Sequence, residues 1–136
     1  SFDMVKLSKH FSLEELCKTS ASFKNVPTRD DVINLCYGIN NILEPLRAFL
    51  RKPLTVTSGF RCPNVNKAVG GVANSQHRRG LAADVHIEPS DMGLAFMFLR
   101  TNKFCDQVLG GKSFIHISWT IDGSPRQQYI MNYYKY

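Results

Sequence analysis

The first half of the chain spaces its apolar residues as helices do. Ser12 followed by Glu15 has the pattern of a capping box and predicts the start of a short helix. Thr28 can cap a longer helix, because apolar residues follow it three or four positions apart as far as Leu46. Pro45 lies late in that run and lacks the N–H that a helix interior uses, so we expect a kink or a junction there.

The second half of the chain consists mostly of short runs with strand character, bounded by turn residues. The pattern predicts strands at residues 54–57, 81–87, 104–109 and 113–119, and a third helix at residues 89–99. Residues 66–72 are expected to be irregular or to end a short helix, and the two glycines at 110–111 predict a hairpin-like turn. Without repeats or low-complexity tracts, the chain is expected to form a single α+β domain over residues 1–136.

Alternation along two of these strands places polar side chains on one face. In residues 81–87 the large apolar side chains share one face, while Asp84 and His86 lie on the other. In residues 113–119, His116 shares one face of the strand with Phe114 and Ser118. The sequence therefore indicates strands that each bury one face and can present chemistry on the other.

Composition narrows the classes of protein that fit. The 136 residues, 43% of them hydrophobic, suffice for one domain with a real core. No apolar run approaches the roughly 20 residues of a membrane span, and residues 1–4 lack the progression of a signal peptide. The initial serine suggests a trimmed or engineered start. No Cys-x-x-Cys pair occurs, so we expect free thiols rather than a zinc knuckle.

The net charge of +6 favours anionic partners such as nucleic acid, acidic membranes or anionic cell-wall polymer, and it equally fits a solvated basic surface. A basic nucleic-acid protein ranks low, because the basic residues are scattered and no nucleic-acid module is recognisable. Several basic residues lie around the candidate site described next: Arg51, Lys52, Arg61, Lys67, Arg78 and Arg79.

Three residues have the chemistry of a metal site. His77 and Asp84 lie seven positions apart, and His116 follows on a later predicted strand. Two imidazoles and a carboxylate suit zinc, and three protein ligands leave a coordination position free for water. A carboxylate on an otherwise apolar strand also needs a partner or a metal when it is buried. The set therefore indicates a hydrolytic zinc site with one Zn²⁺ per chain.

An ordered series of motifs resembles the M15 family of zinc peptidases, and within it the small single-domain subgroup often found in phages and prophages. The resemblance also covers residues 11–16, the helix at residues 40–46 and residues 106–109, and so extends over most of the chain. The motifs are Thr57-Ser-Gly-Phe-Arg61, Asn66, Val69-Gly-Gly71, Ser75-x-His77, Gly80-x-Ala-x-Asp84 and Ile115-His-Ile-Ser118.

The resemblance implies a hedgehog/D,D-peptidase-like fold, in which an antiparallel sheet carries the zinc site and helices flank it. It implies that His77, Asp84 and His116 bind zinc, and that Arg61 contacts the substrate and stabilises charge on the attacked carbonyl. Ser75 matches a residue that binds substrate or orients the loop, or it simply caps the turn. The implied activity is D,D-carboxypeptidase or endopeptidase cleavage of peptidoglycan stem peptides by a bacterial or phage protein acting at the cell wall.

The family's general base is missing from its expected positions. Relatives carry a glutamate three residues before the last histidine or a few residues after the Asp-Gln pair, and this chain has Ser113 and residues 110–111 there. Asp106 or Glu88 reaching the site, a lost glutamate and a deliberate change all remain open. A lost base would leave a non-catalytic zinc-containing domain that binds peptidoglycan peptides, which is the alternative to a peptidase.

For several other residues the sequence gives only a weak indication of their role. His86 could support the metal site but is expected to be a partly exposed histidine. Trp119 and the C-terminal tyrosines could line a groove, although packing is the expected role for most of them. We expect a monomer. The tyrosines are Tyr129, Tyr133, Tyr134 and Tyr136.

Overall fold

Five strands form one sheet in the order β1-β2-β4-β3-β5 in the computed structural model, which describes residues 5–133. Neighbouring strands are antiparallel except β3 and β5, which run parallel. The sheet is therefore mixed, which corrects the expectation of an antiparallel sheet. The strands are β1 (Thr55–Ser58), β2 (Ala82–His86), β3 (Cys105–Gly110), β4 (Phe114–Trp119) and β5 (Gln128–Ile130).

Helices surround the buried face of the sheet, and their starts agree with the predicted caps. The Ser12 side chain accepts a hydrogen bond from the Glu15 N–H, and Thr28 forms a full capping box with Asp31. A short helix ends within residues 66–72, which confirms one of the two predictions for this segment. The helices are α1 (Leu13–Cys17), α2 (Arg29–Gly38), α3 (Glu44–Leu50), α4 (Pro63–Ala68) and α5 (Met92–Thr101).

The junction predicted at Pro45 is a π-helical turn, Ile39–Leu43, which joins α2 to α3. Proline cannot donate the hydrogen bond that the carbonyl four residues earlier, on Asn41, would otherwise receive. The Asn102 side-chain amide donates to that carbonyl instead, at 2.9 Å. Tertiary structure thus satisfies the backbone group that the proline leaves unpaired, and the helical run continues.

One hydrophobic core joins the helices to the sheet. Alternate residues of β2 and β4, including Ala83, Val85, Ile115 and Ile117, are fully buried against helical leucines and isoleucines. Trp119 is also fully buried, and its indole N–H donates to the Asn34 carbonyl at 2.9 Å. The opposite face of β2 and β4 is consequently left for polar side chains, as the alternation predicted.

The remaining expectations for the fold have simple outcomes. All four cysteines are free thiols. Among residues 5–133, no helix is both long and apolar enough to cross a membrane. Tyr129 is partly buried in β5 with its ring edge toward Phe96, and Tyr133 is largely exposed. Tyr134 and Tyr136 lie outside the described residues.

Candidate metal centre

Two of the three predicted ligands face each other across the centre of the sheet. In the antiparallel pairing of β2 with β4, Asp84 lies directly opposite His116, so both side chains project from the same face. The His116 Nδ1 atom and the Asp84 Oδ1 atom are 2.8 Å apart. Strand register alone therefore brings together two residues that are 32 positions apart in sequence.

The third ligand, His77, comes from a 3-10 turn, Gln76–Arg79, immediately before β2. Ser75 caps this turn by accepting a hydrogen bond from the His77 N–H. The turn ends at Gly80, whose φ of +70° and close approach to the Asp31 carbonyl leave no room for a Cβ atom. The chain then enters β2 so that His77 lies beside Asp84.

A backbone carbonyl fixes the orientation of His77. Its Nδ1 atom is 2.6 Å from the carbonyl oxygen of Gly59, which can only accept a hydrogen bond. The proton of the neutral ring therefore lies on Nδ1, and the Nε2 lone pair faces Asp84 Oδ1 at 3.4 Å. A carbonyl that holds one ring nitrogen while the other is free for a metal is a common arrangement behind metal-binding histidines.

The geometry of the three side chains fits a zinc ion. One ligand atom from each of His77, Asp84 and His116 lies within 4.8 Å of the others. Ligands about 2.0–2.2 Å from a tetrahedral zinc ion lie about 3.4 Å apart. The His77–Asp84 separation already has that value, whereas the 2.8 Å contact of Asp84 with His116 is a direct hydrogen bond. A small rotation of either side chain would open it to the ligand spacing.

Arg61 lies against the outer oxygen of the same carboxylate. Its backbone N–H donates to the His77 carbonyl at 2.9 Å, and one terminal guanidinium nitrogen is 3.4 Å from Asp84 Oδ2. Ser58 accepts from Nε at 2.9 Å, and the buried Asn66 accepts from the other terminal nitrogen at 3.4 Å. Arg61 is therefore a clamped cation at the edge of the metal cluster rather than a free surface side chain.

The environment of Asp84 favours its ionised form. Burial would raise its pKa, but when the two histidine rings carry a proton toward it, the hydrogen bonds and charges of His116 and His77 outweigh burial and lower the pKa below the ordinary value. Asp84 is therefore a carboxylate at neutral pH, which is the state that binds a metal.

The two candidate bases make their polar contacts elsewhere. The Asp106 carboxylate accepts from the backbone N–H of Arg126, from its guanidinium at 2.8 and 3.0 Å, and from Gln76 at 3.2 Å. Glu88 is exposed and lies 3.3 Å from His86 Nε2. In the part of the chain that the structure describes, neither carboxylate joins the cluster of His77, Asp84 and His116.

An aromatic ring fills the space beside Gly111, one of the positions where the family resemblance led us to expect a glutamate. A Cβ atom built on Gly111 would lie 2.0 Å from a ring carbon of Phe114, and the Gly111 N–H donates to the Phe114 carbonyl at 2.8 Å. Phe114 lies two residues before His116 on the same face of β4. The Phe114 ring thus occupies the space that a side chain at position 111 would need.

Two other predicted residues have clear places. Ser75 acts as a turn cap, and its role in binding substrate stays a prediction. His86 is exposed and pairs with Glu88 rather than with the metal cluster, as expected for a partly exposed histidine.

Some contributors to the site were not assigned from sequence. The Gly59 carbonyl orients His77, yet a carbonyl leaves no mark in residue identity. Asn66 stood among the family motifs, and its buried amide proves to link Arg61 to the Val72 carbonyl. The signal that could have identified this role of Asn66 is a polar residue five positions after Arg61 that, if buried, needs hydrogen-bond partners.

The comparisons with known proteins agree with this geometry. A search of curated proteins found no match. A family model described as peptidase M15 matches residues 9–118, a range that contains His77, Asp84, His116 and Arg61. M15 peptidases are metal-dependent, and the chain carries a possible His/Asp/His metal site. The chain therefore belongs to the peptidase M15 family.

Proposed function

We propose that the protein is a zinc-dependent D,D-carboxypeptidase or endopeptidase that hydrolyses peptidoglycan stem peptides. One observation carries the proposal: a single Asp84 oxygen lies between the ring nitrogens of His77 and His116, while Arg61 faces the other oxygen. Family membership supports a peptidase. Zinc, the D,D-specificity and the peptidoglycan substrate are the parts that we propose.

His77, Asp84 and His116 would hold the zinc ion. With three protein ligands, zinc supplies a Lewis acid that polarises a carbonyl and makes water acidic enough to attack it near neutral pH. The chain's own residues prepare for this, because the Gly59 carbonyl fixes the tautomer of His77 and the strand register fixes His116. Asp84 stays ionised for the reasons given above.

Arg61 would stabilise the substrate carbonyl as negative charge develops on it. Its guanidinium contacts the outer oxygen of Asp84, and the Arg61 side chain is only 17% exposed, so little water screens its charge. Contacts with Ser58 and Asn66 hold it there before substrate arrives, which avoids the cost of ordering a long side chain during the reaction. The chain's net charge of +6 also suits an acidic wall polymer.

Proton transfer is the weak part of this site. Since Asp106 is held by Arg126 and Glu88 pairs with His86, we expect no dedicated carboxylate to take the proton of the attacking water and deliver it to the leaving amine. Loss of a general base costs about 10²–10⁴ in rate. We therefore expect slow turnover by comparison with relatives that keep their glutamate.

A second candidate function follows from the same hairpin. The packing of Phe114 over Gly111 favours a zinc-containing domain that binds peptidoglycan peptides without cleaving them. Such a domain would need the metal cluster and Arg61, and it would not need a base.

Incubation of the zinc-loaded protein with purified muropeptides, followed by mass spectrometry, separates the two candidates. Loss of one D-alanine indicates a carboxypeptidase, and cleavage of cross-linked dimers indicates an endopeptidase. Asp84→Asn should abolish either product, whereas His86→Ala, an exposed histidine on the same strand face, should not. Zinc-dependent peptide binding without product would support the binding domain. Neither binding nor product would reject both functions.

A further inference from the structure

A small cavity adjoins the metal cluster on the side of Arg61. Its volume is about 220 Å³. Two of its lining residues contact Asp84: Arg61 through its guanidinium, and Thr57, whose hydroxyl donates to the Asp84 backbone carbonyl at 3.2 Å. A group bound in this cavity would therefore lie next to a peptide bond held at the cluster.

The lining has the composition of an anion site. It contains two cations, Lys18 and Arg61, with the hydroxyls of two serines and two threonines, one valine of α4 and the valine that follows this helix, and no carboxylate. Hydroxyl donors and cations suit a carboxylate, and the valines give a small apolar wall. A cavity of this size accommodates about one amino-acid residue.

Lys18 is the less constrained of the two cations. Arg61 already donates to Ser58, Asn66 and Asp84. Lys18 follows the last residue of α1, and within residues 5–133 its ammonium group has no ion-pair partner. Burial raises the pKa of the neighbouring Glu15, while the backbone of Val56, the charge of Lys18 and the backbone of Ser12 act in the opposite direction, so Lys18 interacts with this carboxylate through its charge and not through an ion pair.

We propose that Lys18 is a specificity-determining residue that binds the terminal carboxylate of the substrate, in the cavity beside Arg61. The inference rests on the proposed function and extends it, because recognition of a free C-terminus makes the protein a carboxypeptidase rather than an endopeptidase. The ligand class is a peptide whose last residue is small and ends in a free carboxylate.

The test compares an N-acylated L-Lys-D-Ala-D-Ala peptide with its C-terminal amide, by calorimetric titration of the zinc-loaded protein. Wild type should bind the free acid about tenfold more tightly than the amide, which is the effect of one charge-assisted contact. Lys18→Met should bind both peptides equally, and Lys18→Arg should keep the preference. Lys103→Met is the matched control, because it removes the same charge from an exposed site outside the cavity and should behave as wild type.

The outcomes separate this inference from the proposed function. Equal binding of the two peptides by wild type, or a preference that survives in Lys18→Met, would overturn the carboxylate subsite. A preference that depends on Lys18 without any D-alanine release would support the subsite while rejecting the peptidase. Absence of binding to either peptide would reject both. Zinc content and thermal unfolding of each variant establish that the fold and the cluster are intact.

Discussion

Asp84 and Asp106 are two aspartates on strands of the same sheet, and burial acts on both in the same direction. In each case burial would raise the pKa, and in each case the partners lower it below the ordinary value. The partners differ. Asp84 faces two imidazoles and the edge of a guanidinium, whereas Asp106 lies at an irregularity of β3 and is enclosed by Arg126 and Gln76.

This difference teaches that the partner, rather than burial or charge state, separates a metal ligand from a structural carboxylate. Neutral imidazoles are themselves ligands, so a cation can enter between them and Asp84 and satisfy all three. The guanidinium of Arg126 is permanently charged and already fills the place of a cation at Asp106. Asp106 is therefore expected to hold the loop before β5 in place and to take no part in catalysis.

The largest expected effect comes from supplying the base that Asp106 does not provide. Gly111→Glu alone should fold poorly, because its Cβ atom would overlap the Phe114 ring. The double variant Gly111→Glu/Phe114→Ala has room for the new side chain and should raise turnover of muropeptides by about 10²–10⁴. Steady-state rates measured with equal zinc loading check this.

Phe114→Ala alone is the control for that experiment, and Ser113→Glu is a second test of it. The first should show no gain, and the second tests the other position where the family resemblance implies a base. Robust turnover by wild type that disappears in Asp106→Asn or Glu88→Gln would instead identify a relocated base and break the contrast between the two aspartates. Robust turnover that survives both changes would contradict the proposed proton path.

The next effect concerns Arg61, the cation that distinguishes the surroundings of Asp84. Arg61→Lys keeps the charge but loses the planar fork that contacts Ser58, Asn66 and Asp84 together. We expect turnover or peptide binding to fall roughly tenfold or more, with zinc still bound. Arg79→Lys, at an exposed position in the turn that carries His77, should be silent. Normal kinetics in Arg61→Lys would reduce this arginine to a turn residue.

A smaller effect is expected on the stability of the Asp106 pair. Asp106→Asn removes a buried charge that accepts several hydrogen bonds, and it should lower the free energy of unfolding by about 1–3 kcal/mol. Zinc content should not change. Asp122→Asn, an exposed aspartate, should alter neither quantity. Urea unfolding and elemental analysis measure the two readouts, and loss of zinc in Asp106→Asn would place this carboxylate in the metal site.

The smallest effect is the pH dependence of the same variant. The folded-state pKa of Asp106 lies below the ordinary 3.8. Its contribution to stability is therefore complete above that value and is lost as the pH falls through the lower, folded-state pKa. In metal-free protein, the unfolding free energies of wild type and Asp106→Asn should differ at about pH 5 and converge at lower pH. A constant difference would contradict the ion pair with Arg126.

The sequence predicted the parts of the site that depend on strand periodicity. Asp84 and His116 alternate with apolar residues on two strands, so their shared face followed from period two. The place of His77 required the motif resemblance, because a residue in a turn has no periodicity to fix it. The parallel strand β5 was missed, since Gln128–Ile130 is only three residues long and pairs with a strand that precedes it by many positions.

The surroundings of Gly111 and Asp106 also lay beyond the sequence. Missing glutamates were visible at positions 110–113, but the ring of Phe114 over Gly111 is a matter of tertiary packing. Likewise, Asp106 remained a possible base at the sequence level, because its partner Arg126 lies 20 positions away and no residue near Asp106 in the sequence indicates the pairing. Long-range partners of this kind decide the role of a carboxylate, and only the fold reveals them.

Zinc stoichiometry and affinity in single-residue variants test the central claim most directly. Competition with a chromophoric chelator should give one zinc ion per wild-type chain, with a large loss of affinity in His77→Ala, His116→Ala and Asp84→Asn. His86→Ala, which removes a histidine from the same face of β2, should bind zinc as wild type does. Unchanged zinc binding in His77→Ala and His116→Ala, or an equal loss in His86→Ala, would contradict the account.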